Sequence, residues 1–404
     1  MKRLITTVLA AGVALPALAI DASLELGVEG RRFLEDAAYP GQVDDQWSVY
    51  VQPEFVWDAD NANQRFTFMP YFRKDFADDE RTHADVREAM FMQWGNQWEL
   101  RAGIGKVFWG VTESVHLVDV INQTDMIEAI DGEEKLGQPM VHGIWLAESG
   151  TYEAFLLPGF RERTFAGEAG RYRIPVVVSN DAEYQANAEQ MHTDVAFRWS
   201  KSTELNGYPL DVSAAVFRGT SRTPEFLPKI ALVNGQPVIT EFTPYYAMQN
   251  YASATLLYAL DGWLLKTELL HRNVQDDRFE DQNAAVTGFE YTIVGPFESN
   301  LDLGLLAEYQ YDSRSNGNTL AQNDLFLGAR FALNDMSSSE VLVGLTQDLD
   351  YQGSRFVFVE GSKRLSANAT LDVTLLALTA DAEDVVIDAL QKDDSIEVGL
   401  NLYF

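Results

Sequence analysis

Apolar and polar residues alternate without a break over residues 395–404, which begin at Ser395 and end the chain at Phe404. In an extended strand successive side chains point to opposite faces, so this stretch would be apolar on one side only. The apolar face would carry Ile396, Val398, Leu400, Leu402 and Phe404. The opposite face would carry Ser395, Glu397, Gly399, Asn401 and Tyr403.

About 18 segments of strand character precede or include this one, each near the ten residues that a tilted strand needs to cross a bilayer. The segments are 22–34, 45–58, 63–76, 84–95, 97–108, 138–147, 151–157, 191–200, 208–218, 244–259, 261–273, 284–293, 298–312, 323–333, 338–350, 353–362, 366–379 and 394–404. Alternation is clearest in 45–58, 298–312 and 366–379.

The connections between these segments alternate between short and long. The short ones are 59–62, 95–96, 148–150, 201–207, 260–262, 294–297, 334–337 and 363–365. The long ones include 77–83, 109–137, 159–190, 219–243, 274–283 and 380–393. An up-and-down transmembrane barrel sorts its turns and loops in this way. The sequence therefore predicts an all-β, antiparallel up-and-down barrel of about 18 strands, with 16 as the alternative.

Aromatic residues fit two belts at the ends of such strands. The short-turn ends would hold Trp57, Trp94, Trp98, Trp199, Tyr208, Tyr258, Trp263 and Phe404. The long-loop ends would hold Phe108, Trp109, Tyr245, Tyr246, Tyr309 and Tyr311.

Residues 1–19 have the basic start, apolar centre and Ala-Leu-Ala end of a secretory signal peptide. We expect residues 20–404 to form a single barrel domain. The chain has 61 acidic and 30 basic residues and a net charge of −31, which excludes nucleic acid as a partner. The absence of cysteine excludes a disulfide scaffold and cysteine-based metal sites.

The last strand, 395–404, resembles the terminal recognition strand of Gram-negative outer-membrane barrels, which end in an aromatic residue. The resemblance implies recognition by the barrel-assembly machinery through this strand. It also implies an integral outer-membrane location, with membrane lipids and lipopolysaccharide as surroundings. An even number of strands would place both termini in the periplasm.

The connection 109–137 is the candidate constriction, because it combines many aliphatic residues with many carboxylates. Folded into the lumen, its aliphatics could cover the barrel wall while its carboxylates face water. The alternative is a loop that packs on its neighbours outside the lumen. The carboxylates proposed to set selectivity are Glu113, Asp119, Asp125, Glu128 and Asp131, with Glu133 and Glu134 close by.

Arginines could oppose these carboxylates across the lumen. The connection 159–190 contributes Arg161, Arg163, Arg171 and Arg173. A basic wall of the lumen would hold Arg65, Arg73, Arg101 and Arg330. Opposed acidic and basic walls orient dipolar solutes and filter ions, as in general porins. The alternative is that these charges are scattered because a lumen is wet.

The run G-K-V-F-W-G-V-T-E-S from Gly105 to Ser114, followed by D-V-I-N-Q-T-D from Asp119 to Asp125, resembles a pattern of porin-like proteobacterial barrels of unknown function. The resemblance implies a barrel, and for some members export of lipids or other hydrophobic compounds. The chain departs from the pattern at Thr124, where Asn-Gln-Thr stands in place of Asn-Pro before the Asp.

No protease, hydrolase or phosphate-loop motif occurs, so we expect a protein that is not an enzyme and that uses no cofactor or metal. A barrel of this strand number can enclose an aqueous lumen. The sequence predicts a channel for passive diffusion of small polar solutes or ions, with a moderate cation preference. The alternatives are a conduit for hydrophobic compounds or lipids and an adhesin or receptor that acts through its loops. The oligomeric state stays open.

Overall fold

The computed structural model describes residues 20–59, 63–319 and 321–404. Its strands are Ile20–Phe33 (β1), Asp45–Asp58 (β2), Gln64–Asp75 (β3), His83–Trp94 (β4), Trp98–Gly105 (β5), Gln138–Ala147 (β6), Gly150–Pro158 (β7), Glu183–Tyr184 (β8), Thr193–Leu205 (β9), Tyr208–Thr220 (β10), Glu225–Val233 (β11), Gln236–Tyr246 (β12), Met248–Leu260 (β13), Trp263–Val274 (β14), Gln282–Val294 (β15), Asp302–Asp312 (β16), Asn323–Ala332 (β17), Glu340–Asp348 (β18), Arg355–Ser366 (β19), Ala369–Thr379 (β20) and Ser395–Tyr403 (β21).

Helical structure in the described ranges is limited to three short pieces. They are two 3₁₀ turns, Glu189–Met191 and Pro296–Glu298, and one α-helix, Val385–Leu390 (α1). Within these ranges, no helix is long and apolar enough to cross a membrane. The predicted signal peptide, 1–19, lies outside the described residues.

Eighteen strands form one closed antiparallel ring, which confirms the predicted barrel and its strand number. Each of the 18 predicted segments corresponds to one strand of the ring. Neighbours in the ring follow chain order, with β8, β11 and β12 set apart. The ring closes where β21 pairs with β1, with Leu26 opposite Leu402 and Phe33 opposite Ser395.

The polarity of the ring is the reverse of that in a soluble protein. On β21 the apolar residues Ile396, Val398 and Leu400 are exposed, whereas the polar face looks inward, with Glu397 paired to Arg31 of β1. The same alternation recurs around the ring, where buried charged residues share the face opposite the exposed apolar ones. An outward apolar band around a polar interior is typical of barrels in an outer membrane, so the architecture is porin-like and confirms that interpretation of the sequence.

One end of the ring carries tight turns and the other end carries the large connections. The turns 148–149, 206–207 and 261–262 contrast with the connections 106–137 and 159–192. Exposed Trp98 and Trp263 lie at the tight-turn end, as predicted. Three aromatics predicted for the other belt are buried and lie outside the ring strands: Trp109, Tyr245 and Tyr246. Their assignment to a membrane belt was wrong because they serve the packing of the large connections.

Two predicted strands differ from the structure for identifiable reasons. The segment 97–108 ends as a strand at Gly105, because the amide of Asn122 replaces a ladder partner. Asn122 donates to the carbonyl of Gly105 and accepts from the N–H of Val107, both at 2.8 Å. The segment 244–259 is divided at Ala247, since Tyr245 and Tyr246 belong to β12 rather than to the ring.

The connection between β10 and β13 forms a protruding hairpin of β11 and β12. Its turn is at Asn234 and Gly235, with φ of 52° and 78°, which matches a turn that needs two left-handed residues. Short strand β8, from the connection 159–192, pairs in parallel with β12. These three strands lie beyond the large-connection end of the ring.

Candidate functional site

The connection 106–137, here called the crossing segment, extends from β5 to strands on the opposite side of the ring. Glu268 of β14 accepts hydrogen bonds from the backbone N–H groups of Val111 (2.6 Å), Thr112 (3.1 Å) and Val118 (3.2 Å). A second carboxylate, Glu308 of β16, also holds the segment at this side of the ring. Glu268 and Glu308 are both fully buried and lie on the inward faces of their strands.

Glu308 of β16 accepts hydrogen bonds from the next two backbone N–H groups of the crossing segment. Its two oxygens accept the N–H groups of Glu113 and Ser114, both at 2.8 Å. A carboxylate that accepts several backbone N–H groups supplies the hydrogen-bond partners that a turn without secondary structure lacks. The pair Glu268 and Glu308 therefore replaces a strand ladder as the partner of this turn.

On the near side, arginines of β3 and β4 hold the other end of the segment. Arg73 lies 2.7 Å from Glu128, and the hydroxyl of Tyr71 donates to the same carboxylate at 2.9 Å. Arg87 donates to Asp125 at 2.7 Å. All five of these residues are buried. Because a buried charge is tolerated only when it is paired, these contacts fix where the segment lies.

Apolar residues of the segment cover an apolar area on the inward face of the ring. Trp109, Val118 and Ile121 are buried in one cluster with Phe155 of β7 and Phe217 of β10. Each large apolar side chain that is fully buried contributes about 1.5–3 kcal/mol. The segment therefore combines an apolar surface on one side with carboxylates on the other.

The two runs that carry the family resemblance contact each other. Asp119 accepts the N–H groups of Trp109 (2.6 Å) and Gly110 (3.1 Å). Asn122 joins Gly105 to the carbonyl of Leu136 at the far end of the segment. Side chains of the second run thus cap the backbone of the first, which gives the shared pattern a structural role.

The other predicted carboxylates of the segment are also engaged. Glu113 pairs with Arg330 and lies 3.7 Å from the amine of Lys266. Asp131 accepts the N–H of Glu133 at 2.9 Å. Burial raises the pKa of Asp119, although the N–H group of Trp109 acts in the opposite direction. This carboxyl is consequently protonated more readily than a free aspartate.

The four arginines of the connection 159–192 divide into two pairs. Arg161 lies 2.8 Å from Asp85 of β4, and Arg163 donates to Gln123 of the crossing segment at 3.3 Å. Burial lowers the pKa of Arg163. Arg171 instead binds Asp393 at 2.7 Å, and Arg173 donates to backbone carbonyls of its own connection. Of the four, only Arg161 and Arg163 make side-chain hydrogen bonds or ion pairs with described residues of the crossing segment or of β4.

The four arginines predicted for a basic wall all pair with carboxylates. Arg65 binds Asp58 at 2.7 Å, and Arg101 donates to Glu99 at 2.5 Å. Arg73 pairs with Glu128, and Arg330 pairs with Glu113 on the opposite side of the ring. Arginines and carboxylates are therefore interleaved around the interior rather than separated into two walls.

A cavity of about 350 Å³ lies beside the crossing segment, between it and strands β1, β2, β20 and β21. Its carboxylates outnumber its cations. The carboxylates are Glu25, Glu29, Glu128, Glu134, Asp372 and Glu397, and the cations are Arg73, Arg87 and Lys106. Glu128 and Glu134 belong to the predicted constriction, and Glu397 lies on the predicted polar face of the last strand. Glu25, Glu29 and Asp372 are not predicted, although Glu25 and Glu29 alternate with Leu24, Leu26 and Val28 along β1, which is the signal for an inward polar face.

His83, Asp125 and Glu128 bring their possible ligand atoms within 4.8 Å of one another. A cation there would meet the guanidinium groups of Arg73 and Arg87, each 2.7 Å from one of the two carboxylates. Like charges at such distances oppose metal binding. The cluster is therefore an ion-pair network.

No family model and no curated protein matches the sequence. Among solved structures, the chain is similar to OmpT of Vibrio cholerae expressed in the outer membrane, with 10% identity and a TM-score of 0.45 over 97% of this chain and 99% of that one. It is also similar to a mutant of the Rh. blastica porin, with 11% identity and a TM-score of 0.43 over 96% and 100% of the two chains. The barrel assignment rests on the strand pairing rather than on these likenesses.

Proposed function

We propose that the protein is an outer-membrane channel for passive diffusion of small polar solutes or ions. The observation that carries the proposal is the closed ring of 18 strands with exposed apolar residues outside and charged residues inside. Such a ring satisfies its backbone groups within the bilayer and encloses a polar path across it. The tight turns and both termini would face the periplasm.

The crossing segment is proposed to be the constriction. Its support is the pair of anchors on opposite sides of the ring, Glu268 and Glu308 at one end and Arg73 and Arg87 at the other. A segment held at both ends would narrow the path at this level of the barrel. The acidic cavity beside it is the proposed route of the solute.

A moderate cation preference follows from the charges around that cavity. Six carboxylates and three cations line it. In a narrow aqueous path with low-dielectric walls the net fixed charge enriches counter-ions. Three carboxylates of the crossing segment, Glu113, Asp125 and Glu128, are paired with arginine. We therefore expect the preference to come mainly from the acids of β1, β20 and β21 that have no arginine partner among the described residues, Glu25 and Asp372.

Planar-bilayer recording of the purified protein tests the channel directly. We expect stable, ohmic conductance steps and a reversal potential of cation-selective sign under a salt gradient. A protein that is folded by its heat-modifiable gel mobility, yet silent at all voltages, would contradict the proposal.

A second candidate, a conduit for hydrophobic compounds, is favoured by a break in the wall. The ladder between β2 and β3 pairs Val51 with Phe72 and resumes at Phe55 with Phe68. Pro53 and Pro70 lie in the interval, and neither has an N–H group to donate. An apolar compound could leave the lumen sideways at such a break.

Replacing Pro53 and Pro70 with cysteine and oxidising the pair would close this break, because facing residues of antiparallel strands lie within disulfide reach. The chain has no cysteine of its own that could interfere. A lateral conduit would lose release of a hydrophobic probe on oxidation and regain it on reduction. A diffusion channel would keep its ion conductance in both states.

A further inference from the structure

A concave area of about 600 Å³ lies on the outside of the ring, across strands β9, β10, β13 and β14 near the large connections. Its outward side chains form two rows in register. The upper row is Val195, Arg218, Asn250 and Asn273, and the lower row is Phe197, Val216, Ala252 and His271. This area is called the outer groove below.

Small residues occupy the centre of the groove. In the lower row, Ala252 lies between Val216 and His271. In the row below it, Ala214 of β10 lies opposite Ala254 of β13. Phe197 borders the groove and is 44% exposed. An apolar groove of this kind, on a wall that faces lipid, has the chemistry that an acyl chain would contact.

The side chains at the upper end of the groove are polar, and some of them lack a hydrogen-bond or ion-pair partner among the described residues. The guanidinium of Arg218 makes no ion pair or hydrogen bond with any described residue, and the same is true of the amide of Asn250. Asn273 is held by Asp281 at 3.0 Å, and His271 Nδ1 is 2.9 Å from Asn283. These contacts leave the oxygen of Asn273 and Nε2 of His271 available.

We propose that the outer groove binds one phosphate-bearing lipid, with the phosphate on Arg218 and an acyl chain over Ala252 and Ala254. An arginine on a membrane-facing surface is costly unless an anion pairs with it, and a planar guanidinium binds phosphate in two-point geometry. Asn250 adds a donor in the same row. Asp281, beyond Asn273, places the phosphate nearer to β10 than to β14.

The net negative charge of the whole chain limits how an anionic lipid could be retained. A net charge of −31 repels anions in general, so a retained anionic lipid would need a specific cation and a shaped apolar surface. Arg355 of β19 offers a comparison, because it also points outward near the large connections but donates to Gln347 at 2.7 Å. The next outward pair beside Arg355 is Leu345 opposite Val357, both larger than the alanines of the outer groove.

The inference rests on the proposed membrane location but not on conduction through the lumen. The test is native mass spectrometry of the purified full chain in detergent, with phosphatidylglycerol as the probe. Diacylglycerol with the same acyl chains and inorganic phosphate serve as partial ligands. The variants are Arg218→Gln, Ala252→Phe, which fills the groove, and the control Arg355→Gln.

We expect the wild type and Arg355→Gln to retain one phosphatidylglycerol, and at least tenfold less diacylglycerol or inorganic phosphate. Arg218→Gln and Ala252→Phe should each weaken retention about tenfold while keeping heat-modifiable mobility and wild-type conductance. Equal retention by all variants, strong retention of inorganic phosphate alone, or a second copy of the chain in place of lipid would each overturn the proposal. A protein that binds the lipid but conducts nothing would refute only the channel.

Discussion

Arg73 of β3 lies 2.7 Å from Glu128 of the crossing segment and 3.0 Å from Glu29 of β1. One guanidinium therefore connects β3 with β1, the strand at which the ring closes on β21 (the seam), and with the crossing segment. Because all three side chains are mostly removed from water, the network responds to the loss of any member.

Replacing Glu128 with glutamine should reduce the free energy of unfolding by about 2 kcal/mol. Loss of one partner from a buried ion pair typically costs about 3–5 kcal/mol, but here Glu29 still neutralises Arg73. Urea unfolding, followed by heat-modifiable gel mobility, measures this change in the free energy of unfolding. The matched control is Glu134→Gln, whose half-exposed side chain lies 3.7 Å from Lys106 and should matter by less than about 1 kcal/mol. Equal effects of the two changes would contradict the anchor.

Removing the far anchors should widen the path. In the double variant Glu268→Ala and Glu308→Ala, the N–H groups of Val111, Thr112, Glu113 and Ser114 lose their acceptors, at a cost of about 1–3 kcal/mol for each that stays buried. The turn would leave the wall, and single-channel conductance should rise. Glu298→Ala in an exposed turn is the control. A conductance identical to that of the wild type would show that the segment does not limit the current.

Selectivity should depend on carboxylates that are not paired with arginine. Glu25 accepts the hydroxyl of Tyr50, and Asp372 accepts the amide of Asn401 at 2.8 Å. The variant Glu25→Gln with Asp372→Asn should move the reversal potential towards zero in a salt gradient. The change should be larger at 0.1 M than at 1 M salt, because the Debye length falls from about 10 Å to about 3 Å. An unchanged potential would place the solute path elsewhere.

The pair of His116 and Glu133 should stabilise the crossing segment most between about pH 4.5 and pH 6.5. His116 Nε2 lies 2.6 Å from Glu133. Burial lowers the pKa of His116, but the hydrogen bond and charge of Glu133 outweigh it, so the pKa rises above 6.5. The hydrogen bond from His116 holds the pKa of Glu133 below 4.5 despite burial.

The two pKa shifts determine how the stability contributed by each group changes with pH. The contribution of His116 is complete below its unfolded pKa and disappears as pH rises through the raised folded value. That of Glu133 is complete above its unfolded pKa and disappears as pH falls through the lowered folded value. Protease cleavage of the segment should therefore increase above neutral pH. On the acid side the loss from Glu133 is opposed by Asp119, because the cost of its raised pKa disappears when that carboxyl is protonated. In His116→Gln the increase on the alkaline side should vanish, and its persistence would refute the pair as the cause.

The seam of the ring should be sensitive to one glycine. The ring of Tyr50 crosses Gly27 of β1, and its hydroxyl contacts Asn401 of β21 at 2.9 Å. A Cβ at Gly27 would lie 2.0 Å from the ring, so Gly27→Ala should expel Tyr50 and destabilise the closed barrel by about 1–3 kcal/mol. Gly361→Ala is the control, because its Cβ would meet the nearest atom at 3.7 Å. Unfolding in urea distinguishes them.

The wall was predictable because a strand that faces lipid on one side and water on the other must alternate along its own length. β21 and β16 show this alternation without reference to any other part of the chain. The break at Gly105 was not predictable, since its cause, Asn122, belongs to a loop. The pattern over 244–259 predicts a single strand, because β12 and β13 are separated only by Ala247, and so it wrongly assigns Tyr245 and Tyr246 to the ring.

The interior was harder to predict than the wall. Glu268 and Glu308 look like ordinary polar positions of β14 and β16, and nothing near them in sequence indicates that they hold Thr112 or Ser114. The acidic character of the crossing segment was evident, but its pairing with Arg73 and Arg87 depends on which strands lie opposite. Local patterns describe faces, whereas ion pairs across a lumen are set by the closed ring.

The far anchors also imply an order of assembly. The crossing segment follows β5, whereas the carboxylates that hold its turn belong to β14 and β16, far later in the chain. Contacts so distant in sequence are slow to form, because a long loop must close before they contribute. The turn can therefore reach its final position only after β14 and β16 have become ordered, so the interior is completed later than the strands of the wall that surround β5.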